Sequence, residues 1–304
     1  MMGSDAIAVI VNGGSGGGNG QALVDRLAAH FRDAGLHAEI ELAHGGDEIA
    51  AAVGNAVARR PRLIVAGGGD GTVSTVAAKL VDTGIVFGVL PLGTLNHFAK
   101  DLGLPLDLDD AVARIARGTV RRVDVGEVND RIFVNNSGLG LYPDIVRDRE
   151  RQQKRLGRGK WPAFAWAMVA ALRRYPFLGV TLVIDGNEVL RKTPFVFIGN
   201  NEYSMEGFAI GERSGMEDGR LSLYVAQRPG RWRLLQLALR ALTGRLRQAR
   251  DFDAILATEI VVQSKKKRLR VAADGEVTVM TPPLHYRVRP ASLIVMRPRT
   301  HSPP

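Results

Sequence analysis

Across the first 125 residues the hydrophobic positions switch repeatedly between two periods. Short unbroken apolar runs, "AIAVIVN" (6–12), "LIVA" (63–66) and "IVFGVL" (85–90), read as strands covered on both faces, as inside a parallel sheet. "HAEIELA" adds another strand. Between these runs, apolar residues recur at helical spacing: Val24, Leu27, Ala28 and Phe31; Ile49, Val53, Ala56 and Val57; Val73, Val76, Ala77, Leu80 and Val81. Such alternation predicts βαβ units and an α/β domain with a parallel sheet over 1–125. From 126 onward the period shortens to two. "VDVGEV" and "RIFVNN" flank a two-residue turn at Asn129-Asp130, and "VTLVID" and "EVLRKTPFVFIGN" flank another at Gly186-Asn187. With "RLSLYVA", "EIVVQS", "RLRVAA" and "HYRVRP", residues 126–290 are expected to form an antiparallel β-sandwich, interrupted by helices around 161–175 and 231–243. Residues 291–304 hold a last strand, "SLIVMRP", and a tail.

Composition narrows the classes. The 304 residues are enough for two domains. With no cysteine there are no disulfides, thiolate metal sites or cysteine nucleophiles, which suits a reducing cytoplasm. The first basic residue is Arg26, so no secretory-signal start is expected, and the longest apolar stretch, "PAFAWAMVAAL", is too short to span a bilayer. A net charge of +10 favours acidic partners: nucleic acid, anionic lipid surfaces or phosphorylated small molecules.

Three loops carry candidate chemistry. "GGGDGT" places Gly67, Gly68, Gly69, Asp70, Gly71 and Thr72 between a buried strand and a helix, where ligands of open α/β sheets bind. The glycines can take positive φ and admit a ligand close to the backbone, and the helix start favours an anion. Asp70 repels phosphate unless it caps the helix or acts through a metal. "VNGGSGGG" brings Asn12 and Ser15 into the loop after the first strand, though it is neither a Walker loop nor a strict GxGxxG. "PLGTLNHF" supplies Gly93, Thr94 and Asn96, with Thr94 as the expected N-cap of a short helix reaching about residue 102. Each loop alone also fits a plain strand-to-helix turn. Together, at the same strand ends, they point to a nucleotide site.

"GGGDGT" and "PLGTLNHFAKDLGLP" resemble the diacylglycerol kinase catalytic family, and more closely its bacterial lipid kinases related to sphingosine kinases. "RRVDVGEV", "FVNNSGLG", "FIGNNEYSMEGFAIGERSGMEDGRLSLYV" and "ADGEV" continue the likeness in family order. The resemblance implies an N-terminal domain like those of NAD kinase and phosphofructokinase, a β-rich C-terminal domain, ATP in the cleft between them, and a final strand returning to the first domain. It implies that Asn12, Ser15, the 67–72 loop and Thr94 contact ATP. Asp218, with the main-chain carbonyls of Gly215 and Arg220, would bind Mg²⁺, and Asp274 would accept the proton of the substrate hydroxyl. The chain departs from the family pattern at Gly13, where proline is usual, at His97, where Asp is frequent, and after the second strand, where a Thr is missing.

Chemistry supports these roles. A positioned carboxylate that deprotonates an alcohol contributes about 10²–10⁴-fold, and a hard cation suits a carboxylate with carbonyls. From position alone, Asp274-Gly275 and Asp218-Gly219 also read as ordinary turns. The expectation is an ATP- and Mg²⁺-dependent lipid kinase, cytoplasmic and peripheral to the inner face of an anionic membrane. The apolar helix around Leu234 and Leu242 with its flanking arginines, and "SKKKRLR" (264–270), are candidates for the basic surface, although the helix also reads as a core-packed one with a solvated arginine face. A homodimer stays open. The rivals are a kinase of a soluble substrate, like NAD kinase, and a non-catalytic nucleotide binder. No aromatic-rich basic stretch or helix-turn-helix pattern supports nucleic acid.

Overall fold

The computed structural model describes residues 4–15, 20–140, 177–204, 212–226, 240 and 252–299. The helices expected around 161–175 and 231–243 lie outside the described residues, apart from Arg240, which is helical. The chain divides into two compact units, one formed by 1–125 with 290–304 and the other by 126–289.

In the first unit, β1 (Ser4–Asn12), β2 (Ala38–Ala43), β3 (Pro61–Gly68) and β4 (Val86–Pro91) lie in the order β2-β1-β3-β4, all parallel. The long strand β18 (Leu284–Arg297) adds beside β4, parallel to it, through Val295 and Phe87. Ile7, Val9, Val11, Leu63 and Val65 pack with Leu27 and Phe31 of α1 (Gly20–Asp33) and with Ala111, Val112 and Ile115 of α5 (Leu108–Arg117). The alternate strand residues Ala8, Ile10, Ile64 and Ala66 are equally buried. Helices α2 (Gly45–Ala58) and α3 (Asp70–Leu80) contribute Ile49, Val53, Val73 and Val76 to the core. Both strand faces are therefore covered, which explains the unbroken apolar runs. Helix α5 went unread in the sequence, although Asp107 caps it by accepting from the N–H groups of Asp109 and Asp110.

The second unit stacks two antiparallel sheets. One contains β9 (Asn187–Thr193), β8 (Leu178–Ile184), β15 (Glu259–Gln263) and the first half of β18. Strands β5 (Thr119–Val128) and β6 (Arg131–Phe133) join it beside β18. The other sheet runs β14-β13-β10-β7-β16-β17: Phe252–Ala257, Leu221–Ala226, Phe195–Asn200, Asn136–Gly140, Leu269–Ala273 and Glu276–Met280. A two-stranded ribbon, β11 (Tyr203–Ser204) with β12 (Glu212–Arg213), stands apart. Val180, Leu182, Ile260, Val262 and Tyr286 from one sheet meet Val196, Ile198, Leu223 and Val271 from the other in a single buried core. The expected sandwich is borne out.

Asn129 and Asp130 both take positive φ, as the first hairpin requires. The second turn falls one residue earlier than the sequence suggested. Asp185 and Gly186 carry the positive φ values, and Asn187 already pairs with Ile184.

Gly140 marks a place where only glycine fits, with φ +80° and an added Cβ 2.3 Å from the carbonyl oxygen of Pro194. Gly140→Ala is expected to destabilise the second unit by about 2–4 kcal/mol. Gly179→Ala, with nothing within 4 Å of the new methyl group, should change the thermal midpoint little. Thermal melts of the two variants check this.

Candidate active site

The strand order reverses direction between β1 and β3, so the crevice at their carboxyl ends is the usual ligand site of such sheets. Three loops leave the carboxyl ends of β1, β3 and β4, and the structure ties them together. Asn12, ending β1, donates from Nδ2 to Thr72 Oγ1 at 3.0 Å and accepts the N–H of Gly14 at Oδ1. Ser15 N–H closes the same turn on the Asn12 carbonyl. The third loop joins the second through the Leu92 N–H on the Gly68 carbonyl and through close backbone contact. A Cβ on Gly93 would lie 2.4 Å from Gly69 Cα.

None of Gly67, Gly68, Gly69 or Gly71 has positive φ, contrary to the sequence expectation. Glycine is needed at one of them for space: a Cβ on Gly68 would sit 2.5 Å from Thr72, whereas one on Gly69 would be 3.4 Å from Gly93 Cα, an ordinary contact. Gly71 is different, since nothing lies within 4 Å of an added Cβ there.

Asp70 does not cap its own helix. Gly69 is the N-cap of α3, and Asp70 Oδ1 instead accepts the N–H of His97 at 2.8 Å. His97 opens α4 (His97–Asp101). Where the family often has Asp, this chain thus engages the position through its main chain. Thr94 is not the cap of α4 either. Asn96 takes that place in the left-handed region, which Asn tolerates. Its amide group accepts from Gly93 N–H and donates to Gly93 O, holding the loop shut. Thr94 is exposed.

Val73 N–H makes the first bond of α3, to Gly69 O. The N–H groups of Asp70, Gly71 and Thr72 therefore lie outside the helix ladder, at the positive end of the helix dipole. The missing proline of the first loop also has a cause. Gly13 N–H donates to Ala43 O, and a Cβ would lie 2.3 Å from the His44 ring, so a proline would lose the bond and collide. His44, the first residue after β2, stands near the loop where a Thr was expected; sequence reading did not single it out.

In the second unit Asp274 forms, with Gly275, the two-residue turn between β16 and β17, both at positive φ. Its carboxylate accepts three consecutive main-chain N–H groups: Val134 at Oδ2 (2.7 Å), then Asn135 (2.8 Å) and Asn136 (3.1 Å) at Oδ1. Asp274 N–H returns a bond to Asn136 O. Arg131 of β6 pairs with Glu276, the first residue after that turn. Ser137 donates to Ala272 O and lies 3.1 Å from the Tyr286 hydroxyl, whose acidity burial weakens so that it stays protonated. Asp218 lies on the exposed loop before β13. Its carboxylate oxygens are 3.1 and 3.2 Å from where a Cβ on Gly215 would be, so the loop folds back onto them. The carbonyl of Arg220 already accepts the N–H of Asn201. Among the described residues no group of three or more His, Asp or Glu side chains is arranged to hold a metal ion.

Residues 6–128 match the diacylglycerol kinase catalytic domain, and residues 144–297 match the YegS C-terminal NAD kinase beta sandwich-like domain. The chain belongs to the diacylglycerol kinase family. It is a kinase of the lipid kinase class, with an alcohol as acceptor. A diacylglycerol kinase of Mycobacterium tuberculosis is 29% identical over 80% of this chain and 79% of its own. A protein of Chromohalobacter salexigens named "Probable lipid kinase YegS-like" is 30% identical over 83% and 82%. Against an uncharacterized Synechocystis protein, also 30% identical, the chain spans 56% of the relative's length. The crystal structure of a diacylglycerol kinase from Bacillus anthracis shares the fold, with TM-score 0.70, 97% of each chain covered and 19% identity.

Open space at Gly71 allows a clean test of the first-unit loops. Gly71→Leu should fold with an unchanged thermal midpoint yet lose at least about tenfold in ATP affinity, the usual scale of a blocked phosphate contact. Calorimetric titration of ATP with the folded variant measures this.

Proposed function

We propose that this chain is an ATP- and Mg²⁺-dependent lipid kinase that transfers the γ-phosphoryl group to a hydroxyl of diacylglycerol or a similar lipid. The observation that carries this reading is the start of α3, where three N–H groups outside the helix ladder lie among mutually braced loops beside the open position Gly71. Such a helix start suits phosphate oxygens. The lipid acceptor is supported by the names of the relatives.

Phosphoryl transfer depends mainly on alignment and on neutralising charge. In the first unit the main chain of the three loops holds the phosphates. The side chains of Asn12 and Thr72 are bonded to each other and serve as braces. Asp70, which would repel phosphate, is turned onto the His97 N–H. In the second unit Asp274 takes the proton from the attacking hydroxyl, its carboxylate held in one orientation by three N–H groups. Asp218, exposed and folded against Gly215, offers the hard oxygen donor that Mg²⁺ prefers, with the carbonyls of Gly215 and Arg220 as further donors. Mg²⁺ bound there supplies positive charge for the phosphates. Among the described residues no helix is long and apolar enough to cross a membrane. Docking on an anionic membrane surface from the cytoplasm therefore rests on the excess of ten positive charges. The exposed Lys265, Lys266, Lys267 and Arg268 precede β16, at the opposite end of that strand from Asp274. Five residues of strand lie between Arg268 and Asp274, about 20 Å from Cα to Cα.

Asp274→Asn keeps the shape but cannot take a proton, so kcat should fall by about 10²–10⁴-fold with little change in ATP affinity. Steady-state kinetics decide, and near-normal turnover would remove Asp274 from the mechanism.

Membrane docking should depend on salt, because attraction between exposed charges decays over a Debye length of about 8 Å at physiological ionic strength. The protein is expected to sediment with anionic liposomes at low salt, to leave them as salt rises, and to ignore neutral ones. Equal binding to both liposome types would assign the positive charge to another partner.

A further inference from the structure

The cradle around Asp274 extends one layer deeper, into the paired asparagines of "FVNNSG" and "IGNNEY", to which the proposed mechanism gives no role. Between β6 and β7 the chain bends at Val134 and Asn135. The N–H groups of Val134, Asn135 and Asn136 all go to Asp274. The carbonyls of the last two of these peptide units, Val134 O and Asn135 O, are held as fully. Val134 O accepts from Arg213 Nη1 at 2.8 Å and from Asn200 Nδ2 at 3.0 Å. Asn135 O accepts from the Asn200 N–H at 2.9 Å and from the Tyr203 hydroxyl at 3.0 Å. Arg213 Nη2 also reaches Asn135 Oδ1 at 3.3 Å, and its guanidinium lies 5.7 Å over the Tyr203 ring.

A peptide unit transmits polarisation. The Val134 carbonyl and the Asn135 N–H belong to one unit, so a cation on the carbonyl strengthens the N–H as a donor. Two hydrogen-bond chains therefore end on Asp274 Oδ1. One runs from Arg213 through the Val134–Asn135 peptide, and the other from Tyr203 and Asn200 through the Asn135–Asn136 peptide. Asn200 is fully buried and Tyr203 is 3% exposed, so water cannot readily replace these donors.

We infer that Arg213, Asn200 and Tyr203 are positioning residues that act on phosphoryl transfer through the 134–136 peptide units, by fixing the orientation of the Asp274 carboxylate. The inference rests on Asp274 as the base of the proposed kinase reaction.

Tyr203→Phe keeps the ring under Arg213 and removes only the hydroxyl donor, and Arg213→Lys keeps the charge but loses the fork. Each should lower kcat about fivefold to tenfold, the scale of one buried hydrogen bond, with the ATP KM within about twofold. In the Asp274→Asn background the same changes should cost nothing further, because the group they act through is gone. As a second readout, the amide proton signal of Asn136 should move upfield in Tyr203→Phe and that of Asn135 in Arg213→Lys, each reporting weaker donation to Asp274. Equal losses with and without Asp274, or unmoved amide signals, would overturn the inference while leaving the base role standing. Full turnover by Asp274→Asn would overturn both.

Discussion

Three main-chain N–H groups in a row donate to one carboxylate, and the geometry of the second unit's site follows from that constraint. For Val134, Asn135 and Asn136 to face Asp274 together, the chain must bend between β6 and β7, and Asp274 must sit in the left-handed region at the tip of a hairpin. The carbonyls of the last two of these peptide units, Val134 O and Asn135 O, must then be satisfied inside the protein. The side chains of Arg213, Asn200 and Tyr203, with the Asn200 N–H, do this. Leaving such buried polar groups unpaired would cost about 1–3 kcal/mol each, which makes the cradle a structural element as well as a chemical one.

The first unit solves a different problem. The phosphate binding proposed for its loops, through main-chain N–H groups, needs loops that stay in place without side chains projecting into the site. Bracing from behind achieves this. Asn12 joins the first loop to Thr72, and Gly93 and Gly69 let two backbones touch. Asn96 closes the third loop, while Asp70 reaches across to His97. Polar side chains that resemble ligands in the sequence are in large part the braces.

Hydrophobic period made the α/β unit and the sandwich legible, because burial on both faces or on one face leaves different patterns in the chain. Loop detail was less legible. Thr94 looked like a helix cap because hydroxyl residues usually fill that place, but the amide group of Asn96 can bond both to Gly93 N–H and to Gly93 O. The glycines of 67–72 suggested positive φ, which none of them takes; Gly68 instead makes room for Thr72, and Gly71 leaves open space. Asp274 was named from resemblance, and its partners were not, since main-chain donors carry no sequence signature. Helix α5 was legible but went unread: Leu108, Ala111, Val112 and Ile115 stand at helical spacing, and Asp107 was a readable start signal.

The most direct test of the account is where the γ-phosphate goes. The purified protein, γ-labelled ATP and Mg²⁺ would be incubated with a total bacterial lipid extract, and in parallel with NAD and other soluble alcohols. Label is expected in an organic-soluble phosphomonoester whose parent lipid carries a free hydroxyl. Label found only in a soluble acceptor, or retained wholly in ATP with lipid present, would contradict it.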